Sequence, residues 1–335
     1  MAYYLRADFS TEVFGKEVYG NFGARYIETD TSTEGFADIN GSPVWVTIDG
    51  NYDNLLPSLN ANLALNQEMI IRFGYSDVLA RPGLADLTPG IKLSTSETMP
   101  EPYAGSGQAG NPDLDAIEAT NIDLSFEWYY QDASMFSAAL FYKDIDSNIA
   151  FGPEPIDMTF DGDLYSVRQK QNIAGTELEG IELSVTQSLD FLPSILRHTG
   201  VSANYTYTHE DTDNLDGEGE AIARKGLSEN SYNLVAFYDD QKLSVRLAYN
   251  WRSEFVRREY VQLGWASADT LPEIEAARGQ LDLTANYKIN KHFKINFSAI
   301  NLNESTSERY LKHEQLTNYI SDSGTRYNLG VVARF

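Results

Sequence analysis

Few residues of this chain have the types and spacing that chemistry requires. Gly105-Ser106-Gly107-Gln108-Ala109-Gly110 formally matches the GxGxxG phosphate-binding pattern. Pro100 and Pro102 precede it and Asn111-Pro112 follows, so no strand leads in and no helix leads out, and the segment reads as a flexible surface loop. Asp211, Asp213 and Asp216, followed by Glu218 and Glu220, invite a divalent-cation loop. EF-hand spacing fails there because Leu215 stands at the fifth ligand position. These acids remain weak loop candidates beside the reading of a solvated acidic loop, and no metal is assigned. His198, His209, His292 and His313 are scattered without metal-ligand spacing; His209 and His313 read as loop residues and His292 as part of a turn. No GxSxG elbow or serine–histidine arrangement occurs. With 49 acidic residues, close carboxylates carry no acid–base inference. Catalysis is not expected, and no cofactor is implied.

Binding chemistry is better represented. Trp251, Arg252, Arg257, Arg258, Tyr260 and Trp265 mix aromatic rings with guanidinium groups where a strand runs out into a long connection. Rings stack on sugars, and guanidinium groups hydrogen-bond hydroxyls or anionic substituents in pairs. Arg81 and Trp45 are weaker candidates of the same kind. The same residues equally fit an interfacial girdle with arginines facing lipopolysaccharide, and both readings stand.

The elements that must position these residues alternate with period two. Ile122, Leu124, Phe126, Trp128 and Tyr130 share one face against Asn121, Asp123, Ser125 and Glu127. Leu243, Val245, Leu247, Tyr249 and Trp251 repeat the pattern, as do Leu281, Leu283, Ala285, Tyr287 and Ile289. We read roughly 13 strands of about 8–12 residues, longer than is usual in soluble sheets. Connections alternate in length. Short polar turns lie near Asn66, Asp132, Asp240 and Lys291, whereas 30–43, 80–116, 147–171, 210–225, 255–277 and 303–324 are long. Long structureless loops are uncommon in compact soluble domains; short turns at one end and long loops at the other describe an outer-membrane barrel. Trp128, Tyr130, Tyr238 and Tyr287 beside the short turns, and Tyr249 and Trp251 beside a long loop, fit two aromatic girdles. The final run places Tyr327, Leu329, Val331, Ala333 and Phe335 on one face, a terminal signature that resembles the recognition signal of the bacterial barrel-assembly machinery.

Composition agrees. The chain has 335 residues, 25 basic against 49 acidic for a net charge of −24, and no cysteine. Such acidity opposes nucleic-acid binding, and the missing cysteines exclude disulfides and thiolate metal sites. Mean hydropathy is −0.37, and no apolar run is long enough for a transmembrane helix. Met1-Ala2-Tyr3-Tyr4-Leu5-Arg6 lacks a basic and apolar leader, so the chain is either not exported or begins upstream of Met1.

An ordered series of segments carries a family resemblance. It runs from Tyr52-Asp53-Asn54-Leu55-Leu56-Pro57 through Arg72-Phe73-Gly74-Tyr75-Ser76, Ala80-Arg81-Pro82 and Gly110-Asn111-Pro112-Asp113-Leu114 to Glu118-Ala119-Thr120-Asn121. Phe141-Tyr142-Lys143-Asp144-Ile145, Gly175-Thr176-Glu177-Leu178-Glu179-Gly180 and Asn301-Leu302-Asn303-Glu304 follow. From about residue 49 onward the chain resembles the β-barrel of TonB-dependent outer-membrane receptors, closest to the glycan-uptake branch of proteobacteria. The resemblance implies an all-β, antiparallel, up-and-down transmembrane barrel of which this chain is a part, about 13 of some 22 strands around a plug. Residues 1–335 are then the C-terminal portion of the barrel domain, without plug or TonB-binding segment. The implied function is energised import of a bulky nutrient, with a glycan favoured over a siderophore. The implied partners are the TonB energising complex through the missing N-terminal part, the assembly machinery, outer-membrane lipid and a glycan or other small-molecule ligand, but no nucleic acid. A plugless porin or other structural barrel is the alternative, and a barrel hydrolase a more distant one. The sheet is expected to stay open between a first strand near Tyr3 to Phe9 and the last strand from Tyr327.

Overall fold

Thirteen long strands follow one another in an antiparallel meander. They are β1 (Ala2–Val13), β2 (Lys16–Ile39), β3 (Ser42–Ala64), β4 (Met69–Ala80), β7 (Ile117–Gln131), β8 (Ser134–Phe151), β10 (Asp163–Ser188), β11 (Thr199–Thr212), β12 (Asn230–Asp239), β13 (Leu243–Arg252), β16 (Arg278–Lys288), β17 (Phe293–Ile300) and β20 (Arg326–Ala333). The long connections add β5 (Ile91–Thr95), β6 (Tyr103–Ala109), β9 (Ile156–Phe160), β14 (Phe255–Gln262), β15 (Thr270–Glu275), β18 (Ser307–Leu311) and β19 (Thr317–Ser321). This computed structural model describes residues 1–39, 42–152, 155–213, 215–216, 218–262 and 270–334.

Register explains why the pattern holds. Leu124 faces Phe73 on one side and Leu140 on the other; Leu140 faces Ile181, which faces Tyr207. Leu234 faces Tyr249, which faces Leu281, and Phe297 faces Leu329. The apolar residues therefore form one continuous face, because a slip of one residue would send each to the other side. That face is uncovered: Leu234 is 49% exposed and Leu329 75%. An apolar surface running across 13 strands cannot rest in water, where patches of a few hundred Å² are already large. Its solvent is lipid.

The opposite face is polar and bonded to itself. Glu127, Arg246, Asp282 and Lys288 all lie on it, in phase with Ser137, Thr284 and Lys294 across the ladder. Arg72 binds Glu127 at 2.9 Å and reaches Asn62 at 2.9 Å, and Asn233 donates to Asn204 at 2.6 Å. Two glycines on this face receive cross-strand rings. A Cβ at Gly180 would lie 2.4 Å from Cζ of Phe141, and one at Gly200 2.2 Å from Cζ of Phe237, so each ring lies over a bare backbone and pins its strand pair in register. Gly200→Val should therefore cost about 1–3 kcal/mol by overpacking, read as a lower urea midpoint for loss of the folded gel band. Adding Phe237→Ala should recover part of that loss.

The two ends of the sheet differ in their connections. The connections β1–β2, β3–β4, β7–β8, β10–β11, β12–β13 and β16–β17 lie at one end and span at most ten residues; at the other end β4–β7, β8–β10, β11–β12, β13–β16 and β17–β20 are long, and only β2–β3 closes as an extended hairpin. The reading of the long connections as irregular loops is overturned. The 30–43 region continues β2 and β3 as a hairpin paired out to Ile39 and Ser42, and β10 reaches 26 residues, so strands exceed the expected length. Beyond the membrane, backbone groups still need partners, and hairpin extension supplies them. The glycine-rich segment is likewise strand β6, antiparallel to β5 and parallel to β10. Its glycines allow close approach: a Cβ at Gly105 would sit 2.1 Å from the Ser94 carbonyl oxygen. His209 belongs to β11 and not to a loop, whereas His313 lies in the β18–β19 turn. The path begins at β1 and ends at β20, and no pairing joins these two among the described residues. Phe335 lies outside the described residues; Tyr327, Leu329 and Val331 share the apolar face of β20.

Candidate functional site at the long-loop end

Three assemblies stand at the end where the connections are long. In the first, β5, β6 and β9 pack on the outer part of β10 around Val167, Phe160, Tyr165 and Ala109, with Val167 wholly buried. Beside this core lies a cavity of about 290 Å³ whose lining includes Asp86, Lys92, Gln108, Phe151 and Lys170. Lys170 Nζ is 2.7 Å from Asp86 Oδ2, and the Lys170 carbonyl accepts from Asn111 at 2.9 Å. An aromatic side chain, an amide and an ion pair around one cavity suit a ligand that carries both hydroxyls and apolar ring edges.

The second is the separate four-stranded sheet β14–β15–β18–β19. Its centre is ionic. Glu273, 5% exposed, faces Arg257 at 3.5 Å and Arg258 at 3.7 Å and accepts from Asn318 at 3.0 Å. Glu275 faces Arg257 at 3.5 Å and Arg309 at 2.8 Å and accepts from Ser307. Burial pushes the Glu275 carboxyl up, but Ser307, Arg309 and Arg257 outweigh it and hold it below its ordinary value. Tyr310 is buried and donates to Glu254 at 2.5 Å; burial, then Glu254, raise its hydroxyl above the ordinary phenol range.

The third is a clamp between two connections. Lys312, after β18, inserts its ammonium among Asp216 at 2.6 Å, Glu218 at 2.5 Å and Glu220 at 3.0 Å. The Glu218 and Glu220 amides donate to Asp216 Oδ1, which curls the acidic loop around the cation. Burial works to raise the Asp216 carboxyl, yet Lys312 and these amides together hold it below its ordinary value, and the three carboxylates raise the Lys312 ammonium. A depressed carboxylate contributes stability that is fully present above its unfolded pKa of about 3.9 and is lost as pH falls through the lower folded value. Proteolysis of the 213–229 segment should therefore be constant from about pH 8 to 5 and rise only below about pH 4. Lys312→Met should accelerate it even at neutral pH, by leaving three carboxylates facing one another.

The sequence candidates are only partly brought together. Arg257 is turned toward the ionic centre of the loop sheet, whereas Arg258, 3.7 Å from Glu273, keeps most of its side chain in solvent. Trp251 stacks on Tyr232, centroids 5.1 Å apart, in phase with Leu234 and Leu247 on the apolar face, which is the girdle position. Arg252 lies on the other face, donating to Ser228 at 2.8 Å and Gly226 at 2.7 Å with its guanidinium 3.8 Å from the Phe255 ring. Arg81 donates to Thr29 at 3.1 Å, and Trp45, 55% exposed, meets Phe36 edge-on at 4.9 Å on the β2–β3 hairpin. The Tyr260 side chain and Trp265 lie outside the described residues. Among the weak metal candidates, Asp211 is a β11 residue opposite Glu177 and Asp213 joins no acidic cluster among the described residues; Asp216 gathers Glu218 and Glu220 instead, around Lys312. The cavity was missed, because Asp86 and Lys170 are 84 residues apart and no local pattern links them. Asn301 could have been weighed more heavily. It is 2% exposed at φ +61° and ties Ser305 and Gly324 together within the last long connection, while the Asn303 amide bonds Leu281 and Gly279 and staples that connection to β16.

Strands alternating in face, an uncovered apolar side and connections long at only one end define the wall of a transmembrane β-barrel. The chain belongs to the TonB dependent receptor-like β-barrel family, whose model matches residues 2–302. Barrels of this family lie in the outer membrane of Gram-negative bacteria and are transport receptors, not enzymes. No curated protein matches the chain. Among solved structures it is similar to a ferric enterobactin receptor from Pseudomonas aeruginosa in complex with enterobactin, with TM-score 0.63 and 16% identity over 99% of this chain and 54% of that one. The siderophore receptor PirA from Acinetobacter baumannii gives 0.62 and 14%, over 100% and 54%. The ferric-catecholate import receptor Fiu from E. coli K12 gives 0.64 and 14%, over 100% and 44%. The chain thus spans about half the length of these receptors.

Proposed function

We propose that residues 1–335 are the C-terminal portion of the barrel domain of an energised nutrient importer. The remaining strands, the plug and the segment that engages the TonB complex then belong to its N-terminal side. Its ligand is a neutral, polyhydroxylated nutrient, of which an oligosaccharide is the representative case. The observation that supports this class is the internal neutralisation of six loop-end cations. Arg257, Arg258 and Arg309 face Glu273 and Glu275, Lys170 faces Asp86, Arg224 faces Glu210 and Lys312 faces three carboxylates. On a chain of net charge −24, the cations without an ion pair among the described residues, such as Lys92 and Arg168, sit in a field whose overall sign opposes an anion. The cavity beside Phe151, whose ring also carries the Arg168 guanidinium at 4.9 Å, offers apolar surface and hydrogen-bonding groups to a sugar.

A ferric siderophore is the second reading, favoured by the ligands named for the structural neighbours. Uptake separates the two. Cells carrying the complete receptor should accumulate labelled neutral oligosaccharide, and dissipating the proton gradient should abolish that accumulation. Accumulation of a ferric catecholate alone would overturn the oligosaccharide class. Uptake that persists without the gradient would instead support a passive porin.

A further inference from the structure

The short connection between β10 and β11 is unlike the others at its end of the barrel. Residues 189–198 fill it, whereas the β7–β8 turn needs only Asp132 and Ala133. It carries Phe191, Leu192, Ile195 and Leu196 and forms one turn of 3₁₀ helix at Ser194–His198, with Arg197 and His198 in its last turn. Phe191 is 67% exposed, Ile195 63% and Leu196 50%, and none of the helical residues is buried. Full burial of such a side chain is worth about 1.5–3 kcal/mol, so leaving three of them in the periplasm forfeits several.

We infer that this connection is a lipid-seated foot, whose apolar side chains enter the inner leaflet of the outer membrane while Arg197 meets phospholipid phosphates. Continuity with the lipid-facing wall supports the occupant. The His198 ring lies edge-on to Tyr238, centroids 6.0 Å apart, and Tyr238 is in phase with Leu234 and Ala236 on the apolar face. The foot therefore begins where the aromatic girdle ends. Charge supports it too. Asp190 is held by Gln131, and Asp240, which faces His198, is held by the Leu243 and Lys242 amides. Arg197 forms no ion pair among the described residues, which leaves one uncompensated cation beside an apolar surface on a strongly acidic chain. Basic and apolar side chains together are the composition that seats a segment at a phospholipid interface.

The absence of cysteine makes the test direct. Single Ile195→Cys and Asp132→Cys variants of the receptor, each carrying an environment-sensitive fluorophore, are reconstituted in phosphatidylethanolamine–phosphatidylglycerol vesicles. The label at 195 should emit to the blue of the label at 132, be quenched by brominated lipid and resist aqueous iodide at least threefold better. Arg197→Glu in the Ile195→Cys background should restore part of the iodide access. Equal iodide access at 195 and 132 would overturn the foot. Shielding from both iodide and brominated lipid would overturn it as well, because a protein surface would then cover the segment.

Discussion

Leu124→Arg is expected to remove most of the protein from the outer membrane, whereas Ser125→Arg, one position along the same strand, should be tolerated. Leu124 lies on the apolar face between Phe73 and Leu140, with lipid as its only remaining neighbour. An arginine on that face costs about 2–4 kcal/mol near the bilayer midplane, a sizeable share of the net stability of an ordinary domain. Ser125 stands between Arg72 and Ala139 on the polar face, where a long cation finds water and the acidic neighbours Glu127 and Asp123. The measurement is the amount of heat-modifiable protein in isolated outer membranes. Equal loss in both variants would show that the two faces are not in different solvents.

The second large effect concerns the loop sheet. Glu273→Gln removes the charge that faces Arg257 and Arg258 while conserving volume and the partner for Asn318. Breaking a buried ion pair from one side costs about 3–5 kcal/mol; Arg258 is well exposed and screened, so the lower figure of about 3 kcal/mol applies. The loss should be local. Hydrogen exchange in β14, β15 and β18 should accelerate by about two orders of magnitude, with β12, β13 and β16 unchanged. If energised uptake falls with it, the loop sheet also shapes the ligand site.

The wall of the barrel could be read from the chain because its information is local. A lipid-facing strand must alternate in every residue pair, as Ile122 to Tyr130 does, and each tight turn announces itself in polar residues such as Asp132 and Asp240. The 13 strands of the main path agree with that reading. The loop end was not readable in the same way. Its sheets form from segments such as β14 and β18 that are short, mixed in polarity and bonded through side chains far apart in sequence, so period two is weak where register is set by ion pairs. Arg257 and Arg258 illustrate the consequence. Their type suggested ligand contact; Glu273 and Glu275, some 15 residues on and brought alongside by the β14–β15 hairpin, engage Arg257 on both sides while Arg258 stays largely exposed. Trp251 shows the converse, since its phase within β13 placed it among the lipid-facing residues. The cavity at Asp86 and Lys170 depends on two connections meeting on β10, a tertiary event with no trace in either segment.

One face of this sheet meets lipid and the other meets water, and a nitroxide scan tests that directly. Labels placed singly at 244–250 in β13 and 281–287 in β16 of the membrane-embedded receptor should show collision rates with lipid-soluble oxygen and with a water-soluble nickel chelate that alternate with period two in opposite phase. Oxygen should dominate at Val245, Leu247, Leu281 and Leu283, and the chelate at Arg246, Ala248, Asp282 and Thr284. Maxima in the reverse phase, or no alternation at all, would contradict the barrel wall described here.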